Sequence, residues 1–201
     1  MDFTVGSIGV HLFVSIDDYL ENLSLTRFDP VFVIPIGSSL KTRSASGLFY
    51  DTLSGGFLSP GSTSEKWANI IAQSKSSGRP VVMFAEGTTS NGKGLLPFQK
   101  GAIQGFEKKN VLYPAVIKHN PASVNTPLPV SSFKWLLAVS MLLTGVSTKV
   151  RLAGKIYPSL GGLEHQLAEG AYRVGRLRKL GRYLDIESKK KFLTAYKKGR
   201  W

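Results

Sequence analysis

The chain has 201 residues, enough for one domain with a real core, and its 42% hydrophobic and 19% charged residues describe a globular protein. It contains no cysteine, which excludes disulfides, thiolate catalysis and cysteine metal sites; the three histidines, His11, His119 and His165, show no metal-ligand spacing, so no metal site is expected. The formal net charge is +13, and eleven Lys and Arg face only Asp185 and Glu187 between Arg173 and Arg200, so the excess sits mainly at the C-terminal end and predicts a polyanionic partner, nucleic acid or an anionic membrane surface.

Residues 1–12 have neither a basic n-region nor a cleavage site, so no secretory signal is expected. Residues 5–19 read as a strand and a turn: Ile8, Val10, Leu12 and Val14 alternate at period two, and Ser15 can cap a short helix with Asp17 and Asp18 in its first turn. After the turn at 27–30, residues 31–36 are continuously apolar, the pattern of a central parallel strand. Residues 40–64 are rich in Gly and Ser and carry Lys41 and Arg43; Gly55-Gly56-Phe57-Leu58 reads as another short strand. Residues 64–76 predict a helix with Trp67, Ile70 and Ile71 on one face, and Ser77-Gly78-Arg79-Pro80 ends it.

The strand at 81–84 is followed by a polar turn, then Leu95-Leu96-Pro97-Phe98 and the start of a basic helix at 99–102. Residues 111–117 predict a strand, 119–129 a proline-punctuated loop, and 149–153 an exposed or edge strand. The longest apolar stretch, 135–146, is too short to span a bilayer and reads as a core helix or one that dips into the interface. Gly161-Gly162 opens a helix that includes His165, and a basic amphipathic helix begins at Ser188. These elements predict an α/β fold: a single domain over residues 1–171 with a mostly parallel sheet flanked by helices, and a basic amphipathic C-terminal helix or tail over 172–201.

The most informative stretch is 81–102. A single carboxylate, Glu86, stands at the end of an apolar strand and is followed at once by Gly87, Thr88, Thr89 and Ser90. Glycine permits close backbone approach, the hydroxyls supply hydrogen bonds, and Lys93 and Lys100 supply charge for an anion. Phe84-Ala85-Glu86-Gly87-Thr88 resembles the FPEGT block of the glycerolipid (lysophosphatidic acid) acyltransferase family, and the continuation through Thr89-Ser90-Asn91-Gly92 to Leu95-Leu96-Pro97-Phe98 is similar to its eukaryotic lysophospholipid members. Within the family the chain resembles the fungal lysophosphatidic acid:oleoyl-CoA acyltransferase branch, which shares the closing phrase Arg178-Lys179-Leu180, then 184–190, Phe192 and Tyr196-Lys197-Lys198.

The resemblance implies four blocks. The first is a His-x4-Asp pair, in which an imidazole takes the acceptor hydroxyl's proton and a carboxylate orients it. Here Asp18 matches the aspartate, but Phe13 stands at the histidine position; His11, two residues earlier, is the candidate base, the alternative being an ordinary strand residue. The second block's arginine is missing after Gly55-Gly56-Phe57-Leu58, with Lys41 and Arg43 as possible substitutes or plain solvated charges. The third is Glu86-Gly87-Thr88; the fourth, a strand carrying a proline, matches Tyr113-Pro114-Ala115-Val116. The implied site is thus Asp18 and His11 for catalysis, with Glu86, Gly87, Thr88, Thr89, Lys93 and Pro114 for substrate binding. Members of that branch usually carry a membrane segment upstream of the first block, so a shortened gene model or a short paralogue is expected.

The implied activity is acyl transfer from acyl-CoA, a co-substrate with no further cofactor, to a lysophospholipid, converting lysophosphatidic acid to phosphatidic acid. The expected partners are membrane lipids, with peripheral placement on the cytosolic face of the endoplasmic reticulum or lipid droplets. The competing reading is a lipid-binding pseudoenzyme of the same fold, supported by Phe13. Nucleic-acid binding ranks last: Tyr172, Tyr183, Tyr196 and Trp201 accompany the charges, but Phe192 and Leu193 fit an amphipathic face equally well.

Overall fold

A computed structural model describes residues 3–5, 10–15, 30–54, 65–88, 94–106, 110–120, 128–130, 147–158, 162–181 and 183–198. Its strands are β1 (Phe3–Val5), β2 (Val10–Ser15), β3 (Val31–Ile36), β4 (Ser39–Arg43), β5 (Val81–Phe84), β6 (Val111–Asn120), β7 (Leu128–Val130) and β8 (Ser147–Leu152). Its helices are α1 (Ala45–Ser54), α2 (Trp67–Ser77), α3 (Lys100–Ile103), α4 (Leu163–Gly175) and α5 (Ile186–Lys197). Six strands form one sheet in the order β4-β3-β5-β2-β6-β8, and β1 pairs with β7 in a second, two-stranded sheet.

The expectation of a mostly parallel sheet is corrected. Among the described strands of this sheet, β3 and β5 alone pair in parallel; β2 with β5, β2 with β6, β3 with β4, and β6 with β8 are all antiparallel. A parallel neighbour needs a crossover that returns the chain to the same end of the sheet, and the segment holding α1 and α2 supplies one between β3 and β5. Between β3 and β4 there is only the two-residue turn at Gly37 and Ser38, with Gly37 at φ 63°, and so tight a link reverses the strand. β2 enters between β5 and β6 from the opposite end.

The sheet has two covered faces, because successive side chains of β5 point to opposite sides. Val81, Met83 and Ala85 join Val33, Leu112 and Val116 in the main core, which Trp67 and Ile70 of α2 and Leu163, Leu167 and Ala171 of α4 complete. Val82, Phe84 and Ile34 form the other face, packed against Phe32, Ile36 and Leu48 of α1. The continuous burial of Val81 to Phe84 explains why this strand shows no alternation in sequence.

Helix α1 lies inside the stretch read as a Gly/Ser-rich segment. Ser44 starts it, its hydroxyl accepting the Gly47 N–H at 3.2 Å and its carbonyl the Leu48 N–H at 2.8 Å. Helix α2 follows its expected course: Trp67 and Ile70 are buried, Ile71 packs beside them, and Gly78 ends it in a left-handed conformation with its N–H on the Ser74 carbonyl. The Trp67 indole N–H donates to the Gly101 carbonyl at 2.7 Å, locking α2 to α3. Gly170 and Gly175 let α4 lie close on β6: a Cβ at either would stand 3.1 Å from Pro114 Cγ or 2.8 Å from Val116 Cγ1. β8 forms the expected edge strand, with Val150 and Leu152 exposed. The helix expected near Asp17, the strand at 55–58 and the apolar helix at 135–146 lie outside the described residues. None of the described helices is long and apolar enough to cross a membrane.

Candidate functional site

β5 ends in a tight turn: the Gly87 N–H donates to the Phe84 carbonyl at 2.8 Å, and Gly87 sits at φ 64°. A Cβ there would stand 2.3 Å from the Pro35 carbonyl oxygen and 2.9 Å from Gln99 Cγ, so the position has neither the backbone nor the room for another residue. The turn is held from two sides. The Gln99 N–H donates to the Ala85 carbonyl at 3.0 Å. The Gln99 side-chain oxygen accepts the Gly37 N–H at 3.3 Å, and the Gly37 carbonyl accepts the Gly101 N–H at 2.7 Å. The β3–β4 turn, the strand-end turn and the start of α3 are thereby fixed to one another.

Glu86 points inward. It is 2% exposed, and its Oε1 accepts the Leu96 N–H at 3.0 Å. The carboxylate therefore bridges the two ends of the polar loop that begins at Thr88, which is itself buried. A carboxylate in so dry a position needs charge compensation as well as hydrogen bonds.

That compensation comes from the far end of the chain. After α4 the backbone runs beside Leu95, whose N–H donates to the Arg178 carbonyl at 2.9 Å and whose carbonyl accepts the Leu180 N–H at 2.8 Å. Leu180 packs so closely on Gly94 that a Cβ there would be 2.8 Å from its Cγ. Asp185 then caps α5, its carboxylate accepting the Ser188 N–H at 2.8 Å; that bond holds the Asp185 carboxyl below its ordinary range. Ile186 is buried against Gly87, and one turn along the same face the Lys189 ammonium donates to Thr88 Oγ1 at 2.9 Å. Burial pulls the Lys189 ammonium down from 10.5 to about 8, against the opposing pull of the Glu86 carboxylate. A buried carboxylate, a hydroxyl and an ammonium thus meet at one strand end.

The other expected site residues are more dispersed. Gly87 and Thr88 adjoin Glu86, whereas Thr89, Lys93 and Asp18 lie outside the described residues. Pro114 is on β6, two strands away from β5, with Gly170 of α4 close to its ring. By register the His11 position is opposite Phe84, near the turn, and the Phe13 position is opposite Val82, roughly 7 Å further from it. Because β2 is antiparallel to β5, the chain leaves β2 at the end where β5 begins. Lys41 is buried on β4 opposite Ile34, and Lys100 is exposed at the start of α3. Lys189 was not singled out by sequence reasoning; the signal was there in Asp185 and Ser188, which place the helix start at Ile186 and so put Ile186 and Lys189 on one face.

The acyltransferase family model matches residues 12–118, more than half of the chain, and this match includes the whole strand-end turn. The chain is similar to lysophosphatidic acid:oleoyl-CoA acyltransferase 1 of Saccharomyces cerevisiae, 29% identical over an alignment of 132 residues that covers 57% of this chain and 42% of that protein. It is also similar to a Schizosaccharomyces pombe protein described as "Putative lysophosphatidic acid:oleoyl-CoA acyltransferase", 33% identical over 135 residues, 61% of this chain and 43% of that one. The match spans less than half the length of either curated relative. No solved structure matches the chain. The matched span takes in the Glu86-Gly87-Thr88 turn that β5 presents, and the chain belongs to the acyltransferase family.

Proposed function

We propose that the protein transfers an acyl group from acyl-CoA to the hydroxyl of a lysophospholipid, with lysophosphatidic acid as acceptor and phosphatidic acid as product. The observation that carries this reading is the Glu86-Gly87-Thr88 turn with Lys189 on Thr88 at 2.9 Å, an anion-seeking site in an acyltransferase-family chain. The two relatives' names supply the acceptor and the donor. In the reaction the acceptor oxygen attacks the thioester carbonyl, the carbon–sulfur bond breaks, and CoA leaves as a thiol with the proton that the hydroxyl gives up. With Phe13 at the first block's histidine position, that proton leaves through His11, a water on Asp18, or the acceptor's own phosphate. Loss of a general base costs about 10²–10⁴ in rate, while positioning and charge stabilisation persist. The acceptor is a membrane lipid, so we place the protein peripherally on the cytosolic face of the endoplasmic reticulum or lipid droplets, held there by its basic C-terminal region.

The test is label transfer from oleoyl-CoA to lysophosphatidic acid on liposomes by purified protein. Glu86→Gln keeps an oxygen for the Leu96 N–H but removes the charge; activity is expected to fall at least about tenfold. Phe13 favours the second reading, a lipid-binding pseudoenzyme, and absence of turnover in the wild-type chain with retained lysolipid binding is the result that selects it.

A further inference from the structure

We propose that Lys189 is a positioning residue of the acyl-acceptor site: its ammonium holds the Thr88 hydroxyl oxygen beside the buried Glu86 carboxylate, so that Thr88 presents its proton to the anionic headgroup of the lysophospholipid. This deepens the functional reading above and rests on it.

The geometry sets the direction of the hydrogen bond. An ammonium only donates, so Thr88 Oγ1 is the acceptor in the 2.9 Å contact. The hydroxyl's single proton is then turned away from Lys189. Thr88 is 4% exposed and accepts from Lys189, so in the proposed site its own proton is the donor offered to a bound acceptor. An acceptor of matching chemistry is a phosphate oxygen. Glu86 alone would repel such a group; the ammonium beside it offsets that charge.

Lys189 is placed for this task and its neighbours on α5 are not. Ile186, one turn earlier, is buried against Gly87 and fixes the helix face. Lys190 pairs with Glu187 at 2.8 Å, and Lys191 is exposed. Among the described residues, charged groups face or neighbour Lys189 from two elements. Glu86 faces it from the β5 turn and raises its proton affinity; on α5 the Asp185 carboxylate is engaged by the Ser188 N–H, and Glu187 by Lys190. Burial outweighs Glu86, so the ammonium begins to lose its proton near pH 8.

The experiment measures KM and kcat for two acceptors, lysophosphatidate and the neutral monoacylglycerol, using the wild-type chain, Lys189→Met and Lys189→Arg. Lys189→Met is expected to raise KM for lysophosphatidate about tenfold or more, the cost of a charge-assisted contact, and to leave KM for monoacylglycerol nearly unchanged. Lys189→Arg keeps a donor and a charge that does not titrate; it is expected to restore affinity and to abolish the rise in KM expected of the wild type above pH 8. A KM change equal for both acceptors, or none, overturns the inference and leaves the functional reading standing. If the wild type acylates neither acceptor, the functional reading fails by itself. The inference is then decided by binding to phosphatidylcholine vesicles doped with lysophosphatidate: loss of binding in Lys189→Met upholds it, and equal binding, or no wild-type binding, overturns it.

Discussion

Gly87 is glycine for two separate reasons, its left-handed backbone and the Pro35 carbonyl that fills the space of a side chain. Gly87→Ala is expected to lower the unfolding free energy by about 2–4 kcal/mol, read as a shift in the urea midpoint, because strain and clash add at the same residue. At Lys189 the folded chain binds a proton less tightly than the unfolded chain, with values of about 8 and 10.5. Its desolvation cost is therefore fully present below pH 8 and is relieved as pH rises toward 10.5, where both states are neutral. The stability of the wild type relative to Lys189→Met is expected to rise across that window; a difference independent of pH would show that Lys189 is not buried with its charge. Both residues also mark what could be read in advance. Gly87 sits in a local motif, Glu86-Gly87-Thr88, whose chemistry is contiguous. Lys189 stands in a run of three lysines that reads as a solvated face, and the contact that distinguishes it is 101 residues away.

At the scale of elements, legibility followed how local each constraint is. α2 was readable because Trp67, Ile70 and Gly78 hold its face and its stop within one segment. β3 and β5 were readable because strands buried on both faces are continuously apolar. α1 was hidden because Ser and Gly argue for a loop, and Leu48 on the second face outweighs them only through tertiary packing. The direction of β2 was hidden because alternation reveals a strand but not which neighbours it joins, and β5 and β6 both lie far along the chain. The junction of α2 and α3 offers a direct check. Trp67→Phe keeps most of the apolar contact but leaves the buried Gly101 carbonyl without the indole N–H, and a loss of about 1–3 kcal/mol is expected in denaturant unfolding.

For the whole molecule, the net charge of +13 overstates what is presented to a partner surface. In the C-terminal region Lys189 is turned into the site, Arg173 pairs with Glu169, Lys179 with Glu164 and Lys190 with Glu187. Arg176, Arg178, Lys191 and Lys198 remain exposed, beside exposed Tyr183, Leu184 and Phe192. Attraction by exposed cations is screened within about 8 Å at physiological ionic strength. Co-sedimentation with anionic vesicles is therefore expected to weaken steadily as salt is raised, and binding indifferent to salt would point instead to insertion of the apolar side chains.

The 101-residue separation between Thr88 and Lys189 also has a consequence in time. A ribosome adding 5–20 residues per second takes about 5–20 s to travel from one to the other. Throughout that interval the nascent chain carries β5 and its turn without Arg178, Leu180, Ile186 or Lys189 to close over them. Glu86 lacks the Lys189 ammonium during that time, and the backbone of Leu95 lacks its bonds to Arg178 and Leu180. The site is thus completed only well after β5 itself is made, and a pause in translation after β6 would prolong the period in which the Glu86 carboxylate is open to water and to chaperones.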